Sequence, residues 1–391
     1  MNLASSLGAN PFYAAPEQRA ALARQRFFED GVRPSGMVSE AVIQSWARCL
    51  RTHPNPNHAA VFEPVTASRV HSVLRANREL LEAAGDELQR LRVTLAGTSG
   101  TAILTDARGV VIGSSFTQAR GHEQLMPVSA RIGVNLAEEV VGTTAPGITA
   151  RSGQASVVQG SEHFFCNVQT MHCAAAPIRD VQGELAGVLD LSSEGMPFGF
   201  DAATVVAHFA AEIENRLLCA QSTEHLVLRM QITPALLDTP MAALLGVKGD
   251  GRIHWLNGAA ARFLGLQAQP ARREAPTVEE CLGLSTEALF ALSTRADAQT
   301  LHLPNGLTLW VRMEWHARDQ PRRLHPGAEL RAPQPPACPP LAQQPPATLR
   351  EAERQAVVRV LGECGGNVSG AARALGVSRG LIYRHLRPPR D

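Results

Sequence analysis

Apolar residues recur at helical spacing in the early part of the chain. "SEAVIQSWARCL" sets Val42, Ile43, Trp46 and Leu50 on one face behind Ser39, whose hydroxyl is suited to cap a first turn. "SRVHSVLRANRELLEAAGDELQRLRVTL" carries the stripe on through Val70, Val73, Leu74, Leu80, Leu81, Leu88 and Leu91. A helical region is therefore expected up to residue 95, its stripe serving packing or a dimer seam. The period changes at Thr101. "TAILTDARGVVIGSS" is an apolar run, a polar turn ending in Gly109 and a second apolar run, the pattern of a hairpin. "CAAAPIRDVQGELAGVLDLSS" repeats it around Asp180 to Gly183, and "DAATVVAHFAAEIENRLLCAQ" closes the unit as an amphipathic helix through Val205, Val206, Phe209, Ile213 and Leu217. Hairpins with helices on one face predict an α+β domain.

A smaller unit follows. "MAALLGVKGDGRIHWLNGAAARFLGL" reads as strand, Gly-Asp-Gly turn, strand and a short helix after Asn257; "TLHLPNGLTLWVRMEWH" reads as a hairpin turning at Asn305-Gly306. The proline-rich stretch from Pro321 to Pro346 sustains neither helix nor central strand and predicts a semi-extended linker. Beyond it, Thr348 and Glu351 have capping-box spacing, and Leu349, Ala352, Ala356, Val357, Val360 and Leu361 make one helix face ended by Gly365 and Gly366. "VSGAARALG" predicts a second short helix, Gly376 a tight turn, and Ser378 the cap of a third helix in which Ile382 and Leu386 face inward.

Charge enters at this point. The formal net charge of the 391 residues is only +1, yet from Leu349 onward eight arginines stand against three glutamates and one aspartate. Arg379, Tyr383 and Arg387 form an i, i+4 row on the third helix, with Arg384 beside it. A basic helical tail is the electrostatic footprint of a phosphate-binding module; the plainer alternative is a docked helical hairpin with solvated arginines. Seven scattered cysteines, no secretory leader and no long apolar run predict a reduced, cytoplasmic protein without a membrane span.

The pattern "GGN...AARALGVSR...YRHL" strongly resembles the Fis-type helix-turn-helix at the end of bacterial enhancer-binding regulators. That resemblance implies double-stranded DNA as partner, a homodimer on an inverted-repeat operator, and Arg379, Gly380, Leu381, Tyr383, Arg384 and Arg387 at the DNA, with RNA polymerase a further candidate partner. Such regulators usually carry a central ATPase acting on sigma-54 polymerase. The sole lysine, Lys248, sits in "GVKGDGR", which lacks the GxxxxGK[ST] spacing, and no GAFTGA segment occurs. This chain is therefore not expected to be that ATPase, nor an enzyme.

Upstream, "IQSWARC", "ILTDARGVVIGS", "GTTAPGITARSGQASVVQGSEHF" and "HCAAAPIRDVQGELAGVLDLSS" resemble the sensory half of the acetoin-catabolism (AcoR-like) regulators, which contains a GAF domain. "GVKGDGRIHWLNGAAARFLGL" resembles the start of a PAS-like domain. The implied architecture is multidomain α+β: an N-terminal helical region (1–95), a GAF sensory domain (96–222), a PAS-like module (236–316), a proline-rich linker (317–347) and an all-α helix-turn-helix (348–391). Phe164, Phe165 and Met171 are expected to line a small-molecule pocket; Thr143 and Thr144 would hold a polar group of the effector or satisfy the turn. Glu138 and Glu139 are adjacent, diverge on a helix and read as a solvated face. His163, Cys166, His172 and Cys173 lack CxxC and HxxxH spacing, so neither metal nor cofactor is expected. The competing readings are a redox, haem or metal-dependent sensor or enzyme centred on Cys166 and Cys173, and a co-regulator pairing with a full-length sigma-54 activator.

Overall fold

The computed structural model describes residues 15–119, 121, 123–266, 275–294, 297–316, 360, 367–375, 377 and 379–380. The chain divides into two units, Met1–Ala328 and Glu329–Asp391. In the first, the expected hairpins build two five-stranded sheets whose neighbouring strands are all antiparallel. β1 (Gly100–Asp106), β2 (Val111–Ser114), β3 (Ser156–Gln159), β4 (Met171–Arg179) and β5 (Leu185–Glu194) form one, in the order β2-β1-β5-β4-β3.

One face of this sheet is largely apolar. Ala102, Leu104, Ala174, Ala176, Ile178, Leu189 and Leu191 pack against α4 (Arg78–Thr94) and α8 (Ala202–Gln221). The sequence pattern predicts helices on one face only, whereas both faces are covered. α1 (Pro16–Phe28), α2 (Glu40–Thr52), α5 (Met126–Ser129), α6 (Glu138–Val141) and α7 (Ala145–Ser152) belong to the layer over the other face, where Ala23, Val42, Trp46, Met126, Val141 and Ile148 share a core with Ile103, Val111, Val188 and Cys173. The helical region therefore contributes to the same core as the sheet. Ser39 caps α2, its Oγ accepting from the Val42 amide. The predicted stripe after Thr66 breaks at Asn77, with φ −102° and ψ 22°, into α3 (Ala67–Ala76) and α4.

The second sheet runs β8-β7-β6-β10-β9, from β6 (His225–Gln231), β7 (Ala243–Val247), β8 (Ile253–Leu256), β9 (Gln299–His302) and β10 (Thr308–His316). Its central strand, β6, lies between the two boundaries drawn in sequence at 222 and 236 and has no counterpart in that reading. α9 (Gly258–Leu264), α10 (Val278–Leu282) and α11 (Thr286–Ser293) supply Ala260, Ala261, Val278, Leu282 and Leu289 to the core of this sheet. On the other face Leu218, near the end of α8, packs with Val227, Leu244 and Trp255. Gly246 is required there, because a Cβ would collide with the indole of Trp255.

In the second unit, α12 (Val368–Leu375) occupies the predicted second tail helix, and Ala372 packs with Val368, Leu375 and Val377. The proline-rich stretch and nearly all of the expected first helix lie outside the described residues.

Candidate functional site

The segment from Glu138 to Cys173 is shaped by helices distant in sequence. Gly142 has φ +72°, and a Cβ on it would stand 2.8 Å from Phe164 Cβ, so glycine lets the chain turn tightly against the aromatic pair. Thr144 caps α7, its Oγ1 accepting from the Gly147 amide at 3.2 Å. Thr143 is fully buried, its Oγ1 2.8 Å from Ser45 Oγ on α2. Phe164 and Phe165 are buried edge to face at 5.0 Å, with Phe28 5.5 Å from Phe164 and His53 5.1 Å from Phe165. Arg24 on α1 donates to the carbonyls of His163 and Phe164 at 2.6 and 2.7 Å, and the Trp46 indole donates to the Glu162 carbonyl at 2.7 Å. Met171 opens β4 and is buried in the same core. Four of the five sequence-chosen effector residues thus lie in the layer over the sheet and the fifth, Met171, on the sheet itself, and each has a packing or capping partner.

Glu138 does not lie on a solvated face. It is 4% exposed and receives Nε and Nη2 of Arg48 at 2.7 and 2.8 Å, so its charge is paired across the α2–α6 contact; Glu139 alone is exposed. The partner stands 90 residues earlier, beyond the reach of local periodicity.

Beneath this layer the inner face of the sheet is polar to a degree the sequence reading missed. The registers Thr101↔Ser192, Ile103↔Asp190 and Thr105↔Val188 on one side, with Cys173↔Ser192 and Ala175↔Asp190 on the other, put Thr101, Thr105, Asp190, Ser192 and Cys173 on one face. Ser192 Oγ donates to Asp190 Oδ2 at 2.6 Å and lies 3.1 Å from Cys173 Sγ, which is 3.6 Å from His163 Nε2. Burial pushes the Asp190 carboxyl up to about 7, raises the Cys173 thiol well above its usual range, and holds His163 down at about 4. Near neutral pH this row of four side chains is therefore uncharged apart from Asp190, which is poised to ionise. The alternation in "LDLSS" was the available signal, but it needs the strand register to be read.

Cys166 is exposed, 3.5 Å from Arg24 Nη2, while Cys173 is buried; the two proposed redox partners occupy different environments. Among the described residues no group of three or more His, Cys, Asp or Glu could hold a metal ion, and no helix is long and apolar enough to cross a membrane. Of the tail residues singled out for DNA, Arg379 and Gly380 are described, helical and exposed; Leu381, Tyr383, Arg384 and Arg387 lie outside the described residues.

Residues 16–208 match the family profile "MimR, N-terminal domain", and residues 348–387 match "Bacterial regulatory protein, Fis family". The chain belongs to the AcoR/MimR-like regulator family. An acetoin catabolism regulatory protein of Cupriavidus necator is 30% identical over 236 residues, covering 58% of this chain and 35% of that protein. The acetoin dehydrogenase operon transcriptional activator AcoR of Bacillus subtilis is 30% identical, covering 51% and 33%. The propane 2-monooxygenase operon transcriptional activator MimR of Mycolicibacterium smegmatis is 27% identical, covering 50% and 32%. This AcoR/MimR-like chain thus spans about a third of the length of those relatives. Among solved structures, the Escherichia coli DhaR(N)–DhaL complex is similar at 18% identity and a TM-score of 0.44, covering 70% of this chain and 99% of that one.

Proposed function

We propose that this chain is a ligand-responsive transcription regulator of the cytoplasm that binds double-stranded DNA and has no ATPase or other enzymatic step. In this reading residues 96–222 form a GAF sensory domain that binds a small-molecule effector. Residues 236–316, joined by β6, form a PAS-like module; 317–347 are a linker; 348–391 are a Fis-type helix-turn-helix. The observation that carries the reading is the presence, in one chain, of a MimR-type N-terminal domain and a Fis-family tail. The buried polar face under Phe164, Phe165 and Met171 supports a sensory role, since unsatisfied polar groups in a core are costly unless something is bound to them. Thr143 and Thr144 hold the wall of that site in place through their bonds to α2 and α7. At the tail, Arg379, Gly380, Leu381, Tyr383, Arg384 and Arg387 face an inverted-repeat operator, bound by a homodimer, with RNA polymerase as the downstream partner.

Mapping the DNA bound by the full chain genome-wide, followed by gel-shift titration of the enriched sequence, tests this function. A recurring inverted repeat bound by the full chain and lost on removing residues 348–391 is expected. Binding with no sequence preference, or binding that survives the truncation, would overturn it.

A further inference from the structure

The inner face of the first sheet carries polar atoms without partners. Asp190 is fully buried, and while Oδ2 accepts from Ser192, Oδ1 has no hydrogen-bond partner. Thr105 Oγ1, also fully buried and unpartnered, belongs to the neighbouring strand. The registers Ile103↔Asp190 and Thr105↔Val188 make the two residues diagonal neighbours on one face, a separation of roughly 7 Å. A second unpartnered buried hydroxyl, that of Ser129, ends α5. That helix is tied to the strand bearing Asp190, because Glu194 of β5 accepts the backbone N–H groups of Gln124, Leu125 and Met126, each at 2.9 Å. Beside Asp190 the facing residue on β4 is Ala175, and the next row holds Cys173 and Ser192. These side chains are small.

What Asp190 lacks is positive charge. Elsewhere in this unit Glu138 is paired with Arg48, Glu87 with Arg216 and Arg90, and Asp106 accepts the amides of Arg108 and Val110. Asp190 has one hydroxyl. A buried carboxyl is costly without a countercharge or several donors, and three unpartnered oxygens match the three N–H donors of an ammonium group. Resting on the proposed sensory role of this domain, we infer that the inner face binds a small primary amine. Its ammonium is held by Asp190, Thr105 and Ser129, and its short apolar chain lies toward Phe165 and Met171. Once Asp190 is ionised, an organic acid binds poorly at the same groups, because it brings a second negative charge beside it.

The other titratable groups near Asp190 are the Cys173 thiol, His163, which burial keeps neutral, and Glu194, whose oxygens are taken by the α5 amides. Amine binding therefore requires ionised Asp190 and strengthens as pH rises from 6 to 8, the interval around its pKa of about 7.

The test uses the purified full chain with n-butylamine, n-butanol and butyrate, followed by calorimetry and thermal shift at several pH values. Binding of n-butylamine alone, tighter at pH 8 than at pH 6, is expected. Asp190→Asn should weaken it roughly ten- to hundredfold and remove the pH dependence, while Thr105→Val weakens it but keeps that dependence. Thermal unfolding of each variant verifies that it is folded, and Thr105→Val, close to isosteric, carries the test should Asp190→Asn fail to fold. No binding of n-butylamine, or equal binding to wild type and both variants, overturns the assignment. Binding of n-butanol in preference to the amine overturns the amine as ligand class and leaves the sensory role standing. Amine binding that leaves operator affinity unchanged supports the site and removes the sensory role.

Discussion

Asp190 and His163 titrate in opposite senses within one core, and the signs can be worked out. For Asp190 the folded-state pKa of about 7 lies above the ordinary 3.8, so the folded state holds the proton more tightly than the unfolded chain. Its contribution is fully present below the unfolded pKa and is lost as pH rises through about 7; the gap is worth roughly 4 kcal/mol at most. His163, depressed to about 4 from 6.5, acts oppositely, and its contribution is lost as pH falls through about 4. Denaturant unfolding of wild type and Asp190→Asn from pH 4 to 8 separates the two. The wild type should lose its advantage over the variant progressively as pH rises; parallel curves would mean that Asp190 does not titrate in the fold. In the tail, Arg379 is exposed on a helical residue. Arg379→Ala should weaken operator binding by about 1–3 kcal/mol if the guanidinium pairs with a guanine edge, whereas Arg387→Ala should weaken specific and nonspecific binding alike and lower the salt slope. Unchanged operator affinity in Arg379→Ala would move the reading face elsewhere.

At the scale of elements, Asn257 joins the end of the first sheet's helix layer to the second sheet. Its Oδ1 caps α9 at the Ala260 amide and accepts from the Leu244 amide, while Nδ2 donates to Ala242 O and to Asn215 Oδ1 on α8. All four bonds are buried, so Asn257→Ala removes a cap and strands several partners; a loss of about 2–4 kcal/mol is expected in chemical denaturation. A loss below about 0.5 kcal/mol would mean that solvent or repacking replaces the network. The Asn257 cap was legible, as were the hairpins β1–β2, β4–β5, β7–β8 and β9–β10, because turn residues and alternation are local signals. β6 was not. Its registers are with Ala243–Val247 on one side and Trp310–His316 on the other, the second about eighty to ninety residues away. The break at Asn77 was hidden because both flanking helices keep the same apolar stripe, and Asn77 itself stabilises the junction by donating Nδ2 to the Val73 carbonyl. Glu138 and Asp190 were misjudged or missed for one shared reason: a charged residue is locally indistinguishable from a solvated one until its distant partner, or the lack of one, is placed beside it.

For the whole molecule, the proposed function depends on how a sensory unit and a tail unit influence each other through the chain between them. This chain has one lysine and no GxxxxGK[ST] spacing, so purified protein should show no ATP turnover above that of a mock preparation; turnover that follows the protein through successive columns would contradict the proposed role. Regulation without ATP then has to come from binding linkage. An effector alters operator affinity only through a difference in its own affinity for two states of the protein, and the operator must alter effector affinity by the same factor. The proline-rich stretch between 317 and 347 bears on how this coupling travels. The sequence reading of that stretch as a semi-extended linker predicts a segment that proteases reach before its neighbours. Limited digestion of the full chain should therefore cut first in 317–347, releasing a tail fragment that still binds operator and an N-terminal fragment that still binds effector. If the linker only tethers, the released tail should bind operator with an affinity indifferent to effector, while the intact chain responds. First cuts within 96–222 would contradict the domain map, and a tail whose affinity matches the intact chain with and without effector would show that the two units are not coupled.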